Sequence, residues 1–306
     1  MNLDTRLLVI GQSVMDYLCT ENKTINEQYG IEAFSMNKKE IKILNKLLEV
    51  AEITSQSVGG CATNTSFGLN NLGFKHTYLG TVGDDEDGSY FIKEFNKLKF
   101  VNSQITQQVD GKTGKILTFF GKTDNSNQRT NAYNYGVAND LQIPKNFFNF
   151  AYFSLFSLLE DPSNKVFNLL QDLHKKGTKI MVDGGGLGCL EKELLGELFK
   201  FISGIFINKK EEEFLKKKYS FSLEKLSEKS FVVVKNGNLP TEFYNEGKKE
   251  FSVYVNSSDL IVNSMGAGDA FAAAFIAEYF KSQNFYYAVK SGNTYAKRIV
   301  SKNKSH

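Results

Sequence analysis

Short apolar runs alternate with longer stretches of helical spacing along most of this chain, and no other feature limits its fold as tightly. Residues 7–11, 77–80, 150–153, 179–183, 204–207 and 231–235 read as buried strands. Between them, residues 38–51 place Ile41, Leu44, Leu47 and Leu48 on one helical face, and 88–98 does the same with Phe91, Ile92, Phe95 and Leu98. Residues 164–175, 191–200 and 209–218 are further helical segments. A strand that is apolar at successive positions needs cover on both faces. The alternation therefore predicts an α/β fold, a mainly parallel central sheet between two helical layers. With 306 residues and 41% hydrophobic composition, the chain can bury such a core, and without a repeat or a linker it is expected to form a single domain over 1–306.

Two regions interrupt the pattern. Residues 104–109 and 116–122, joined near Asp110-Gly111, read as an antiparallel hairpin with one solvated face. Residues 122–130 form a polar loop, and 131–135 a further strand of that kind. Such a flap either covers a ligand or extends a sheet edge. A second hairpin is expected around Asn245-Glu246-Gly247.

Charge and composition exclude several classes. Lys+Arg 37 against Asp+Glu 34 gives a net charge of +3, too little to expect nucleic acid or a membrane as partner. The longest apolar stretch, 270–277, is too short to span a bilayer, and 7–10 is too short for a secretory signal. Cys19, Cys61 and Cys189 are odd in number and without C-x-x-C spacing, and His76, His174 and His306 are scattered. A disulfide framework and a zinc site are not expected, and a reducing, cytoplasmic setting is.

Some nucleotide motifs are missing. There is no G-x-x-x-x-G-K-[ST] and no G-x-S-x-G. Gly184-Gly185-Gly186 follows a strand, but the sixth position from Gly184 is Cys189, which breaks the dinucleotide spacing.

Four segments can carry chemistry. Asn263-Ser264-Met265-Gly266-Ala267-Gly268-Asp269 opens an apolar helical run. Small residues there let a ligand approach the unpaired amides of a first helical turn, a site suited to a phosphoryl group, and Asp269 could take a proton from an attacking hydroxyl. The same residues also suit plain helix packing with an acid at the dipole. Gly59-Gly60, with Asn64 on the following helical turn, could hold sugar hydroxyls or simply start a helix. Asn208 and Glu211, after the strand 204–207, could hold magnesium through water or form a helix-capping pair. Asp16, after the first strand, could accept from a polyol or be a loop acid.

In this order and at these separations the segments resemble the ribokinase-like (PfkB) family of carbohydrate and nucleoside kinases, over nearly the whole chain. Residues 263–269 are similar to its D-T-x-G-A-G-D signature, Gly59-Gly60 with Asn64 to its G-G signature, and Asn208 with Glu211 to its N-x-x-E motif. Residues 81–88 look like its V-G-x-D-x-x-G stretch, Gln128-Arg129-Thr130 like its E-R-T/S turn, and 288–297 like the helix near its adenine pocket.

The resemblance implies a three-layer ribokinase-like sandwich with a small β-strand lid, contributed by about 14–36 and 104–136. It implies ATP with Mg2+. By resemblance Asp269 is the base, and the amides of Gly266, Ala267 and Gly268 receive the γ-phosphoryl charge, with Arg129 adding positive charge. Asp16, Gly59, Gly60 and Asn64 hold the acceptor. Asn208, Lys235, Gly237 and Asn293 meet the nucleotide, and Glu211 with Asn208 organises magnesium through water. Asn263 replaces an aspartate that helps hold a monovalent cation in some members, which leaves potassium (K+) activation open. Lys235-Asn236-Gly237 replaces T-x-G.

The long segment between Asp16 and Gly59 looks like the adenosine-kinase-like branch, and Phe34, Phe119, Phe120, Tyr133 and Tyr135 could wall a base or pack the flap. Adenosine or a related nucleoside, phosphorylated at the 5′-hydroxyl, is the expected acceptor. A sugar kinase of ribokinase or fructokinase type is the alternative, and a silent binding protein on the same fold the remote one. A monomer and a homodimer built through the flap are both compatible with the sequence.

Overall fold

A computed structural model describes residues 6–120, 130–144, 146–161, 163–254 and 265–301. Its strands are β1 (Leu7–Ile10), β2 (Val14–Thr20), β3 (Met36–Lys38), β4 (Ile53–Gly59), β5 (His76–Gly83), β6 (Val101–Gln108), β7 (Thr113–Phe120), β8 (Thr130–Gly136), β9 (Phe150–Ser154), β10 (Lys179–Asp183), β11 (Gly204–Asn208), β12 (Phe231–Lys235), β13 (Thr241–Asn245) and β14 (Lys248–Val253). The large sheet has the order β14-β13-β12-β11-β10-β9-β1-β5-β6. It is parallel from β12 to β6, and the β13–β14 hairpin closes one edge antiparallel, as expected.

The helices are α1 (Lys23–Gln28), α2 (Ile41–Val50), α3 (Cys61–Asn71), α4 (Glu86–Phe95), α5 (Lys165–Lys175), α6 (Lys192–Leu198), α7 (Lys209–Glu213), α8 (Leu223–Ser227), α9 (Ala267–Ser282) and α10 (Phe285–Ser301). Successive strand residues point to opposite faces, so each strand feeds two cores. Leu7 and Val9 join Leu69 of α3, Phe91 of α4, Phe275 of α9 and Val289 of α10. Leu8 and Ile10 join Leu170 of α5, Leu195 of α6 and Leu226 of α8. This double burial is the reason the strands read as continuous apolar runs. No helix of the described residues is long and apolar enough to cross a membrane, and the three cysteines are free.

A second sheet, β3-β8-β7-β2-β4, supplies the small β layer. Met15, Tyr17 and Cys19 of β2 pack with Leu44 and Leu47 of α2. Alternation turns Asp16 to the other face. The expected hairpin across Asp110-Gly111 does not form. β6 pairs with β5, parallel, and stays in the large sheet, whereas β7 pairs with β2 and β8. The turn is there, but the chain changes sheets at it. Residues 104–108 therefore do not belong to the small sheet, and 53–59, not foreseen as a strand, do. Residues 36–38 are strand and the helix expected from 38 begins at Ile41. The helix expected over 209–218 is a short α-helix continued by a wider π-type turn over Phe214–Lys218.

Candidate active site

The carboxyl ends of β1, β9, β10, β11 and β12 face one side of the sheet, and α3 and α9 both begin there. The two helices meet closely. A Cβ on Gly68 of α3 would lie 2.7 Å from the Cβ of Ala273 on α9. This contact brings their first turns together, and Asn64 Nδ2 donates to Asp269 Oδ2 at 3.0 Å.

The α9 turn starts from Gly266, whose φ of +72° is left-handed and favours glycine. The N-cap residue is Gly266 itself, which has no side chain to cap the turn. The first amides of α9 thus have no acceptor within the helix and keep the positive end of its dipole for an anion. Asp269 is only 8% exposed at the inner end of this turn. Burial, then the nearby charge of Asp183, push its carboxyl from an ordinary 3.8 up to about 8, although Asn64 and Lys235 favour the ionised form. A carboxyl held near neutrality suits proton transfer.

Asp16 approaches from the small sheet. A Cβ on Gly59 would stand 2.1 Å from its Cγ, so only glycine admits the carboxylate there. The Gly60 amide, at a φ of +97°, donates to it. Burial still raises Asp16 to about 7. Asp16, Gly59, Gly60 and Asn64 thus line one side of the site, with Asp269 behind them.

The remaining carboxylates stand at the ends of the strands. Asp183 ends β10 and accepts from Lys235 Nζ at 3.0 Å. Asn208 caps α7. Its Oδ1 accepts from the Glu211 amide at 3.0 Å, and Glu211 Oε2 accepts from the Asn208 amide at 2.8 Å. The capping pair is therefore real. It also fixes Glu211 against the turn that follows β10, where a Cβ on Gly184 would be 3.0 Å from Oε2. Burial, then Asp183, raise Glu211, while Lys235 draws it down.

Two further expected nucleotide contacts are Gly237 and Asn293. Gly237 lies in an open turn with nothing within 4 Å of its Cβ position. Asn293 is buried, with Thr241 Oγ1 donating to its Oδ1 at 2.7 Å and its Nδ2 donating to the Val253 carbonyl at 3.3 Å, so its amide ties α10 to the β13–β14 hairpin. Arg129, Asn263 and Ser264 lie outside the described residues. Among the aromatics, Phe119 and Tyr135 are 3% and 2% exposed and pack the small sheet. Asp183 was not foreseen. Its signal was present, a carboxylate at the carboxyl end of a strand before three glycines, a place where sheets of this kind put ligands.

Among the described residues no three His, Cys, Asp or Glu side chains converge to grip a metal directly. Two adjacent hard oxygen donors, Asp183 and Glu211, do fit a magnesium ion that keeps most of its water.

A family model described as pfkB family carbohydrate kinase matches residues 6–305. The chain is 23% identical over 282 residues to a nucleoside kinase of Methanocaldococcus jannaschii, covering 90% of this chain and 84% of that one. It is 26% identical over 262 residues to a 5-dehydro-2-deoxygluconokinase of Mesomycoplasma hyopneumoniae, covering 78% and 76%. In fold it is similar to the adenosine kinase of Sinorhizobium meliloti, with a TM-score of 0.80 and 19% identity over 99% of this chain and 95% of that one. It is also similar to the adenosine kinase of Schistosoma mansoni bound to 2-fluoroadenosine, with a TM-score of 0.81 and 16% identity over 99% and 96%. The chain belongs to the pfkB family of carbohydrate kinases and is a phosphotransferase with an alcohol group as acceptor.

Proposed function

We propose that the protein transfers the γ-phosphoryl group of ATP to the 5′-hydroxyl of adenosine or a related nucleoside. The observation that carries this reading is Asp269, buried on the first turn of α9 beside amides that have no acceptor within the helix and hydrogen-bonded by Asn64. A base and an anion cradle on one turn are what in-line transfer to an alcohol needs. Asp16 and Asn64 orient the acceptor. Asp269 accepts the hydroxyl proton, the acceptor oxygen bonds to phosphorus, and the bridging bond to the β-phosphate breaks, releasing ADP. The amides of Gly266, Ala267 and Gly268 take the charge on the migrating group. Asp183, Glu211 and Asn208 would hold magnesium through water, and bound there it neutralises phosphate charge. The acceptor class rests on the names of the nucleoside kinase and adenosine kinase relatives.

The 5-dehydro-2-deoxygluconokinase similarity favours a second reading, a sugar acid or sugar as acceptor in the same site. ADP release measured in parallel with adenosine, ribose, fructose and 5-dehydro-2-deoxygluconate separates the two. The first reading expects the highest kcat/KM with adenosine. A preference for any of the others by tenfold would replace it.

A further inference from the structure

The amino ends of β1, β5 and β6 lie on the side of the large sheet away from the active site, and a cavity of about 440 Å³ opens there. Arg6, Lys75, Thr77, Asn102 and Asn146 give it polar walls. The β1–β5 register sets Leu8 beside Thr77, and carried back two residues it sets Arg6 beside Lys75. Both side chains then leave the same face, the one that carries Leu8 and Leu79, from strands about 4.8 Å apart. Like charges side by side on neighbouring strands destabilise a sheet. No Asp or Glu lines the cavity to offset them, and among the described residues neither cationic group has a hydrogen-bonded or ion-paired partner. Their backbones are nevertheless pinned. The Arg6 amide donates to Asn149 Oδ1 at 3.0 Å, and its carbonyl accepts from the Asn149 and Phe150 amides at 3.0 and 3.3 Å. Lys75 sits between Phe74, whose amide donates to the Leu69 carbonyl at 2.9 Å, and His76, whose amide donates to the Phe100 carbonyl at 3.0 Å. The helices α3 and α4 pack on the opposite face of β5 and β6. On this face Gln104 and Gln142 line a second cavity of about 400 Å³, which shares Asn146 with the first.

We propose that this cavity is a second binding site, for a phosphate dianion, carried free or as the head of a small phosphomonoester. The anion replaces the repulsion between Arg6 and Lys75 with two charge-assisted contacts, a planar fork from one side and an ammonium from the other. The Thr77 hydroxyl and the amides of Asn102 and Asn146 supply neutral donors for the remaining oxygens. The organic part of a monoester runs toward the second cavity, where the Gln104 and Gln142 amides both donate and accept and so suit hydroxyl groups. The cavity stands at the amino ends of the parallel strands and the α9 cradle at the carboxyl ends, so both can be filled at once. The inference does not depend on which donor or acceptor the proposed reaction uses.

The test compares the wild type with Arg6→Gln, Lys75→Gln and the double variant Arg6→Gln/Lys75→Gln. Lys281→Gln/Lys290→Gln, which removes two exposed charges elsewhere, is the control. Titration calorimetry measures the binding of inorganic phosphate and of ribose 5-phosphate while a non-hydrolysable ATP analogue with magnesium saturates the α9 cradle. The wild type should bind one phosphate per chain. Each single variant should weaken it by about tenfold or more, the worth of a charge-assisted hydrogen bond. The double variant should abolish saturable binding, and the control should keep it. Ribose 5-phosphate binding at least tenfold tighter than phosphate assigns the monoester, and equal affinities assign free phosphate. Phosphate should raise the melting temperature of the wild type and leave that of the double variant unchanged, since only a ligand of the folded state stabilises it. The kcat/KM with the best acceptor should stay at the wild-type value in every variant, which also checks their folding. A wild type without saturable binding at millimolar phosphate would overturn the proposal, as would wild-type affinity in the double variant. An equal loss in the Lys281/Lys290 control would reduce the effect to general charge and overturn it too. An ATP analogue that does not bind counts against the proposed function instead, and the comparison among variants still reads this cavity.

Discussion

Replacing Asp269 by Asn should inactivate the protein and make it more heat-resistant. Both halves follow from one burial. The carboxyl has a raised pKa in the fold, about 8 against an ordinary 3.8. An acid raised in this way makes folding less favourable as pH climbs from the ordinary value to the folded one, because the unfolded chain releases the proton first. At pH 7 the folded state keeps the proton about three pH units above the ordinary value, at roughly 1.4 kcal/mol each, so the carboxyl costs up to about 4 kcal/mol. Asn has the same shape, never ionises, and offers an Oδ1 that can still accept from Asn64. Relaxation around the acid reduces the gain, and at about 2 °C per kcal/mol for a chain of this size the melting temperature should rise by up to ~8 °C. The advantage should be larger at pH 8 than at pH 5, where wild-type Asp269 is protonated at little cost. Meanwhile kcat should drop by about 100-fold or more, the usual worth of a general base. Differential scanning calorimetry at the two pH values, alongside a coupled ADP assay, reads both effects. A variant that melts below the wild type at both pH values would refute the burial argument, and one that keeps most of its kcat would remove Asp269 as the base.

Gly59→Ala places a methyl 2.1 Å from Asp16 Cγ and must displace that carboxylate. KM for the acceptor should rise by about tenfold or more as its orientation is lost, with ATP affinity little changed, and an unchanged acceptor KM would remove Asp16 from the acceptor site. His76 accepts at Nε2 from Ser66 at 2.6 Å and donates from Nδ1 to the Phe74 carbonyl at 2.9 Å, and burial lowers it from 6.5 to about 4. Its neutral form thus contributes stability that is present above the unfolded value and lost as pH falls toward the folded one, about 2 kcal/mol by pH 5. Urea midpoints of His76→Gln should accordingly depend less on pH between 7 and 5 than those of the wild type, and equal dependence would contradict the neutral assignment. The kcat/KM of the wild type should rise with pH toward about 8 as Asp269 ionises, and a profile flat from pH 6 to 9 would argue against that base.

The large sheet was readable from the sequence because each of its parallel strands is buried on both faces, and that double burial writes an unbroken apolar run. The small sheet was less readable. β4, Ile-Thr-Ser-Gln-Ser-Val-Gly, is mostly exposed and carries no apolar run. The turn at Asp110-Gly111 was read correctly as a turn, but turn chemistry does not say which sheet the next strand joins, and β7 crosses to β2. In the site, Asp269, Asn64 and Asp16 stood in local motifs and could be picked out there. The Asp183–Lys235 pair joins positions 52 apart in sequence, and no local pattern announces it. Asn293, given as a nucleotide contact by resemblance alone, has both ends of its amide engaged with Thr241 and Val253, and no local pattern announces those partners either.

The most direct measurement is mass-spectrometric analysis of the products formed from ATP, magnesium and adenosine. One AMP should appear for each ADP released beyond background hydrolysis, and Asp269→Asn should abolish both together. ATP left intact with adenosine and across a broad panel of nucleosides and sugars would contradict phosphoryl transfer at the α9 turn.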